Sequence, residues 1–366
     1  MTRLPNSRKS TRPTPDSRRQ AVLSAIIREH LVTGEAIGSH TVSEKFAHAS
    51  GWSSATIRNV MSELEEFGLL EQPHTSAGRI PTDKGYRYYV DNMLGAARLS
   101  KNDLRTIESI GVGKEVKARP DRLMERASHV LSELSENVGI VVWPSLAENR
   151  LQHIRFVRLP DKRILVVVVS TSHIVHDKVI QLDEEFSQEE LDRTARYLNV
   201  EFSGKTLLAI HAEIIALMKE EKALYDRLLR NAMLLCEGSL QGEDEIGGAV
   251  YLEGAFNIFT KPEFADTEGM RELFQTFEEK SRLVKILNEC VSGHPGNVKV
   301  VIGCENVASS MKRCAVITAS YQVDDDISGT LGVVGPTRIE YGRTMAVVNY
   351  LARFIERALS HETPFH

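Results

Sequence analysis

The sequence predicts an α+β chain of several domains: a small helical unit first, then strands, a helical block and strands again. Three observations carry that expectation. Apolar residues recur at helical spacing through the first 67 residues, then give way to a turn-rich stretch around Pro73 and Gly78. Val- and Ile-rich runs such as Ile164-Leu165-Val166-Val167-Val168-Val169 stand on both sides of a block of helical periodicity. At 366 residues, the chain is long enough for two or three domains and a large core.

Residues 1–16 are rich in Arg, Ser, Thr and Pro and read as a disordered basic arm, either adding phosphate contacts or inert. A winged unit is expected over 17–94. Its first helix, 17–32, repeats Val22/Leu23, Ile26/Ile27 and His30/Leu31 every four residues and stops at Gly34. His30, in or beside this stripe, reads as a packed or partly exposed residue, not a ligand. Ser39 or Thr41 caps a short second helix through Ala47, and Ser50-Gly51-Trp52 turns the chain, with Trp52 stapling the turn to the core.

The third helix takes its cap from Ser53 or Ser54. Ile57, Val60, Met61, Leu64 and Phe67 make one apolar stripe, and Gly68 ends it. Ala55, Asn59 and Ser62 point away from the stripe, flanked by Thr56 and Arg58. Beyond it, Leu69-Leu70-Glu71 and Arg79-Ile80-Pro81 flank a tip of Pro73, His74, Thr75, Ser76, Ala77 and Gly78. A helix followed by such a two-stranded tip is a winged helix-turn-helix, with the helix in the DNA major groove and the wing on a neighbouring backbone. The plain alternative is an amphipathic helix and hairpin inside a larger core. Against it, the tip carries hydroxyls, a His and an Arg but no large apolar side chain, and Asn and Arg suit adenine and guanine edges. The candidate DNA-binding residues are Ser53, Ser54, Thr56, Arg58, Asn59, Ser62, His74, Thr75, Ser76 and Arg79, with Arg79 directed to phosphate or the minor groove. Lys84 to Asp91 is expected to continue the wing as an aromatic segment whose Tyr86, Tyr88 and Tyr89 pack on the first helix.

Charge supports this division. The net charge is -5, yet residues 1–90 hold twelve Lys or Arg against nine Asp or Glu, leaving the acidic excess in the remainder. Cys236, Cys290, Cys304 and Cys314 include no C-x-x-C pair, so zinc and thioredoxin-like chemistry are not expected, and the four read as small buried hydrophobes. No apolar run approaches the roughly 18 residues of a membrane span. The basic N-terminus lacks the apolar region of a secretory signal, so the chain is expected in the cytoplasm.

Residues 95–120 read as a linker with a helical piece. A helix carrying Leu123, Met124, Ala127, Val130, Leu131 and Leu134 follows. Strands at 138–143, 151–159, 163–170 and 173–181, with Asp161-Lys162 as a hairpin turn, are expected to share a mixed sheet. Helices over 188–202, 205–220 and 223–237 come next, then a polar loop 238–248, a short segment 250–256 and a helix over 270–288. Strands return at 298–304, 314–322 and 330–334, ahead of a final helix 345–359. Gly329, Gly332 and Gly335 match no phosphate-loop spacing and read as turn glycines bracketing a strand. His173 and His176 fall on opposite faces of a strand, and the acidic runs at 324–326 and 243–245 lack calcium-loop spacing. Ser145 and Ser309 have no nucleophile-elbow context, so no catalytic set, metal or cofactor is expected.

The runs Ser54-Ala55-Thr56-Ile57-Arg58-Asn59 and Thr75-Ser76-Ala77-Gly78-Arg79-Ile80-Pro81-Thr82, then Gly85-Tyr86-Arg87, resemble the bacterial heat-inducible transcription repressor HrcA family in order and spacing. Gly34-Glu35-Ala36-Ile37-Gly38-Ser39 fits the same pattern, with Ala36 where Pro is common. The resemblance continues less sharply through Gly329–Arg338 and Tyr341. It implies a GAF-like α/β domain, 121–186 plus 263–366, interrupted by a mostly helical dimerisation insert, 187–262. It also implies a homodimeric repressor of chaperone operons, bound to double-stranded DNA at an inverted-repeat CIRCE element and modulated by the chaperonin GroEL/GroES. A GAF-like shape raises a small-molecule pocket, but no convergent polar cluster in the sequence marks one. The alternative is a metabolite sensor or bifunctional enzyme whose winged helix regulates its own operon. A catalytic constellation in residues 121–366 would favour it, and the sequence offers none.

Overall fold

Helix α1 (Ser17–Thr33) starts where the Asp16 carboxylate accepts the Arg19 amide at 2.9 Å, and it stops at Gly34. It buries Val22, Leu23, Ile26 and Ile27 against α2 (Ser39–Ser50) and α3 (Ser54–Glu66). The α3 stripe Ile57, Val60, Met61 and Leu64 is buried, as its spacing predicts. The helix closes in a Schellman arrangement. The Leu69 amide reaches the Leu64 carbonyl at 2.9 Å, and that of Gly68, at φ 69°, reaches Glu65 at 2.8 Å. Two short antiparallel strands follow, β1 (Leu70–Glu71) and β2 (Ile80–Pro81), then α4 (Asp83–Asn92). The aromatic segment is thus helical. Thr82 is the missed start signal, its Oγ1 accepting the Gly85 amide at 3.1 Å. Tyr86 and Tyr89 are buried, and Gln20 of α1 donates to the Tyr88 hydroxyl at 2.9 Å.

The computed structural model describes residues 15–50, 52–74, 77–95, 97–111, 120–144, 150–171, 175–220, 226–240, 249–264, 266–290, 297–324 and 327–359. The chain mixes α and β and divides into two compact units. The first holds the residues up to Ala97 together with Ile302–Glu305 and Thr337–Gly342, and the second holds the rest. The expected basic arm, apart from Pro15 and Asp16, lies outside the described residues. So do Ser145, His173, the 243–245 run and Asp325-Asp326.

The second unit begins with α5 (Lys101–Ser109), opened by a capping box in which Ser100 and Asp103 exchange side-chain and amide bonds at 3.0 and 3.1 Å. Helix α6 (Pro120–Ser135) leads into β3 (Val138–Val142), buried at every position. The strands β4 (Leu151–Arg158), β5 (Arg163–Ser170) and β6 (Val175–Gln181) make an antiparallel meander of their own, turning at Asp161 and Lys162 with φ of 60° and 57°. The helices α7 (Gln188–Glu201), α8 (Leu207–Glu220) and α9 (Asp226–Leu240) cover one face of this sheet. A single apolar cluster runs from Ile154, Phe156, Val166 and Ile180 to Leu191, Ile210, Ile214 and Leu235. Gly238, expected in the polar loop, lies inside α9 against Ile180.

The other sheet has the order β7-β3-β10-β9-β8, with β7 (Val250–Glu253), β8 (Lys299–Ile302), β9 (Cys314–Asp324) and β10 (Ile327–Pro336). Against it pack α10 (Ala255–Phe259), α11 (Thr267–Glu278) and α12 (Lys280–Glu289). Helix α13 (Tyr341–Leu359) closes the chain. Four expectations are corrected here. The single mixed sheet is two separate sheets, because β3 pairs with β7 and β10 while β4–β6 pair only among themselves. The helix over 270–288 breaks at Glu279, whose ψ of 82° is extended. The glycines of 329–335 lie within β10 and do not bracket it: a Cβ on Gly329 would stand 2.2 Å from the Tyr321 ring. That ring crosses the neighbouring strand and donates its hydroxyl to the Val142 carbonyl at 2.9 Å. Cys304 is exposed, unlike the other three cysteines.

Gly329→Ala should therefore displace a fully buried tyrosine and lower unfolding stability by about 1–3 kcal/mol, the usual cost of overpacking. Urea denaturation reads it as a lower midpoint, and an unchanged midpoint would show that the ring is not locked by the missing Cβ.

Candidate nucleic-acid interface

The candidate surface is the outward side of α3 with the hairpin after it. The helix is presented by fixed neighbours. Ser53, extended at φ −70° and ψ 154°, caps it by accepting the Thr56 amide at 3.2 Å, and the two hydroxyls lie 2.9 Å apart. The Ser54 hydroxyl meets that of Ser39 at 3.0 Å, tying the first residues of α3 and α2 together. The Ser43 hydroxyl donates to the Trp52 carbonyl at 3.2 Å, and the Arg18 guanidinium lies 5.1 Å over the Trp52 ring. On the far side, Arg19 of α1 donates to Glu63 of α3 at 2.7 Å. That bond, opposed by burial, raises the guanidinium above its ordinary pKa.

With α3 so held, Ala55, Arg58, Asn59 and Ser62 are all exposed. Ser62 is turned back on its own helix, its hydroxyl donating to the Arg58 carbonyl at 3.2 Å. No side-chain hydrogen bond or ion pair occupies Arg58 or Asn59 among the described residues. A cation and an amide on one uncovered helical face, next to capped backbone amides, offer donors and acceptors to a polyanion with base edges.

The hairpin is attached differently. Arg79 and Ile37 exchange both backbone bonds at 2.9 Å, adding a third short strand from the α1–α2 connection. Gly78 permits the approach: a Cβ there would fall 2.4 Å from the Ile37 carbonyl. The Arg79 guanidinium donates to Glu65 of α3 at 2.9 Å, so this predicted contact residue is engaged inside the protein. His74 is exposed in the tip. Thr75 and Ser76 lie outside the described residues. Sequence reasoning missed Arg19, Glu63, Glu65 and Ile37, which set the orientation of α3 and the hairpin. Only Ile37, inside the Gly34–Ser39 run, carried any signal.

A profile of the HrcA protein C-terminal domain matches residues 121–345. The heat-inducible transcription repressor HrcA of Geobacter sulfurreducens is 40% identical over 94% of this chain and 98% of its own length. The repressor of the same name from Syntrophobacter fumaroxidans is 36% identical over 93% of this chain and 97% of its own. The chain belongs to the HrcA family. As an HrcA protein it is a negative regulator of transcription in the heat-shock response, not an enzyme, and the alternative of a metabolite-sensing or bifunctional enzyme falls away. The HrcA-like chain also shares its fold with a solved structure described as a hypothetical protein at 2.2 Å resolution: the TM-score is 0.63 at 24% identity, covering 94% of this chain and 99% of that one. No helix among the described residues is long and apolar enough to cross a membrane.

Proposed function

We propose that this chain is a cytoplasmic homodimer whose front unit is a winged helix-turn-helix bound to an inverted-repeat operator of the CIRCE type. The observation that carries this reading is the outward face of α3, where Arg58 and Asn59 stand exposed on a helix fixed from behind by Arg19 and Trp52. Arg58 suits the O6 and N7 acceptors of guanine and Asn59 the edge of adenine. Ser53, Ser54 and Thr56, at the helix N-terminus, suit phosphate. The hairpin is the wing, and its exposed His74 meets the neighbouring backbone. Arg79 holds this wing on α3.

A palindromic site calls for a two-fold protein. Among the described residues, the β4–β6 sheet is covered on one face only. Its other face presents Val157, Leu165, Val167 and Val169 with Val175 and Val179, the last two 61% and 50% exposed. In the row across the strands, Arg155 pairs with Val167 and Val167 with Asp177. A two-fold axis in the interface, parallel to β5, sets Arg155 against Asp177 of the partner subunit at both ends of this row. The sheet and α7–α9 together then form the dimerising module, so it begins earlier in the chain than residue 187. The remainder, around the five-stranded sheet, serves as the GAF-like domain. A second copy covers the apolar face.

Three measurements test these assignments on the full chain. Arg58→Ala should weaken operator binding by about 1–3 kcal/mol and leave thermal unfolding unchanged. Undiminished affinity would place the readout helix elsewhere. Val175→Lys should convert the dimer to a monomer in sedimentation and lose operator binding at nanomolar protein. A variant that still sediments as a dimer would remove this face from the interface. The switch is read as folding itself: native stability is a small margin, and whatever binds or rescues non-native chains sets the repressor pool. Protein heated a few degrees above growth temperature should lose operator binding irreversibly, and GroEL/GroES with ATP should restore it. Reversible loss from a still-folded dimer would make the protein an intrinsic thermosensor instead.

A further inference from the structure

Two short segments far down the chain complete the unit that carries α3. They are Ile302–Glu305, at the end of β8, and Thr337–Gly342, after β10. Glu305 receives the Arg87 guanidinium as a fork: Nε donates to Oε1 at 2.8 Å and a terminal nitrogen donates to Oε2. The same carboxylate accepts the Ile302 amide at 2.9 Å. Burial opposes ionisation of Glu305, but Arg87 and the Ile302 amide outweigh it and hold the carboxyl below the usual glutamate range.

One turn earlier on α4, the Asp83 carboxylate accepts the Cys304 amide at 2.8 Å. Between the Ile302 and Cys304 amides stands Gly303, with φ 52°. A Cβ there would fall 2.0 Å from an Asp83 oxygen, so the carboxylate occupies the space that any other residue would need. The second segment reaches α1 and α4 in the same unit. Arg338 donates to the Leu31 carbonyl at 2.8 Å, and the Tyr341 ring stands 5.7 Å from that of Tyr86.

The start of α4 is also where α3 and the hairpin meet. The Thr82 hydroxyl donates to the Gly68 carbonyl at 2.7 Å and its amide to the Leu69 carbonyl at 3.2 Å, both in the closing turn of α3. Strand β2 ends at Pro81, one residue before. A force on Asp83 or Arg87 is therefore felt by the helix cap and by the wing strand at once.

We propose that Asp83, Arg87 and Glu305 are positioning residues for operator binding, a latch that seats α4 and so fixes the setting of α3 relative to the wing. This rests on the operator reading above. Among the described residues nothing covers the α3 face while the latch is closed, so the closed form is the binding-ready one. With the latch open, α3 and the wing remain attached, but their mutual setting is no longer fixed in advance. The loss falls on the specific complex, which needs both to reach DNA together.

The test uses the full-length dimer with a fluorescein-labelled inverted-repeat duplex and a scrambled duplex of equal length. Glu305→Gln keeps the shape and removes the charge. It should weaken binding to the repeat roughly tenfold, the scale of losing one charge-assisted pair, and leave binding to the scrambled duplex and sedimentation unchanged. Hydrogen exchange of the first α4 amides should speed up in the same variant. The reversal Arg87→Glu with Glu305→Arg should recover most of the affinity that Arg87→Glu loses. Repeat affinity in Glu305→Gln equal to or above wild type overturns the latch, as does a reversal that recovers nothing. A general loss on both duplexes with a lowered unfolding temperature also overturns it, since that is a folding defect and not positioning. Wild-type protein that ignores the repeat altogether overturns the operator reading itself, and the latch with it.

Discussion

The presentation of α3 depends on one close approach of two backbones. Ile37 and Arg79 pair at 2.9 Å in both directions, and the neighbouring Gly78 has no room for a Cβ. Two consequences follow. The hairpin becomes part of a three-stranded edge anchored in the α1–α2 connection, which a two-residue pair of strands lacks on its own. The Arg79 side chain is also delivered to Glu65, so the far end of α3 is gripped by the strand that the bridge holds. The Gly-Arg-Ile-Pro run thus answers a folding demand: glycine for the approach, arginine for the grip, and a buried proline at the strand end before α4.

This sorting of charge matters for how a modestly basic front unit meets DNA. Arg19 is committed to Glu63, Arg79 to Glu65, Arg87 to Glu305 and Lys84 to the Phe67 carbonyl. The first two pairs cancel within the first 90 residues and leave the basic excess as it is, whereas Arg87 draws its carboxylate from outside them. On α3 itself the one basic side chain is Arg58, near its start, on the end where the helix dipole and the capped amides favour an anion. The carboxylates of α3 sit in its later turns, where Glu63 and Glu65 are spent on internal pairs. A helix with its N-terminal half open and its C-terminal half tied down resembles a reading head on a fixed mount.

Much of this was legible in the sequence, and the rest failed for identifiable reasons. The three front helices and the α3 stripe follow from spacing and caps, because their packing is local. The helical nature of 83–92 was missed because three tyrosines outweighed Thr82, a cap signal standing between a proline and an aspartate. The separation of β3 from β4–β6 was not legible, since pairing with β7 and β10 is set by residues more than a hundred positions away. The glycines of 329–335 were misplaced for the same reason: what excludes a side chain at 329 is the Tyr321 ring on the adjacent strand, which spacing within the run does not reveal. Arg79 was legible as a special residue, but its partner Glu65 was not.

On the proposed reading of the switch, the same long-range contacts bear on a dependence on assisted folding. Arg87 and Glu305 are 218 positions apart, and Arg338 and Leu31 are 307 apart. The unit that carries α3 is therefore incomplete until nearly the whole chain has been made. Contacts of such separation carry a loop-closure cost before they return any stability, which slows folding and prolongs exposure of apolar surface such as Tyr86 and Ile27. A local three-helix unit able to fold alone would bind DNA whether or not the rest of the chain were native. Making that unit wait for Glu305 and Arg338 ties the proposed operator-binding form to the folding of the entire protein. That dependence is what a repressor read out by chaperone availability requires.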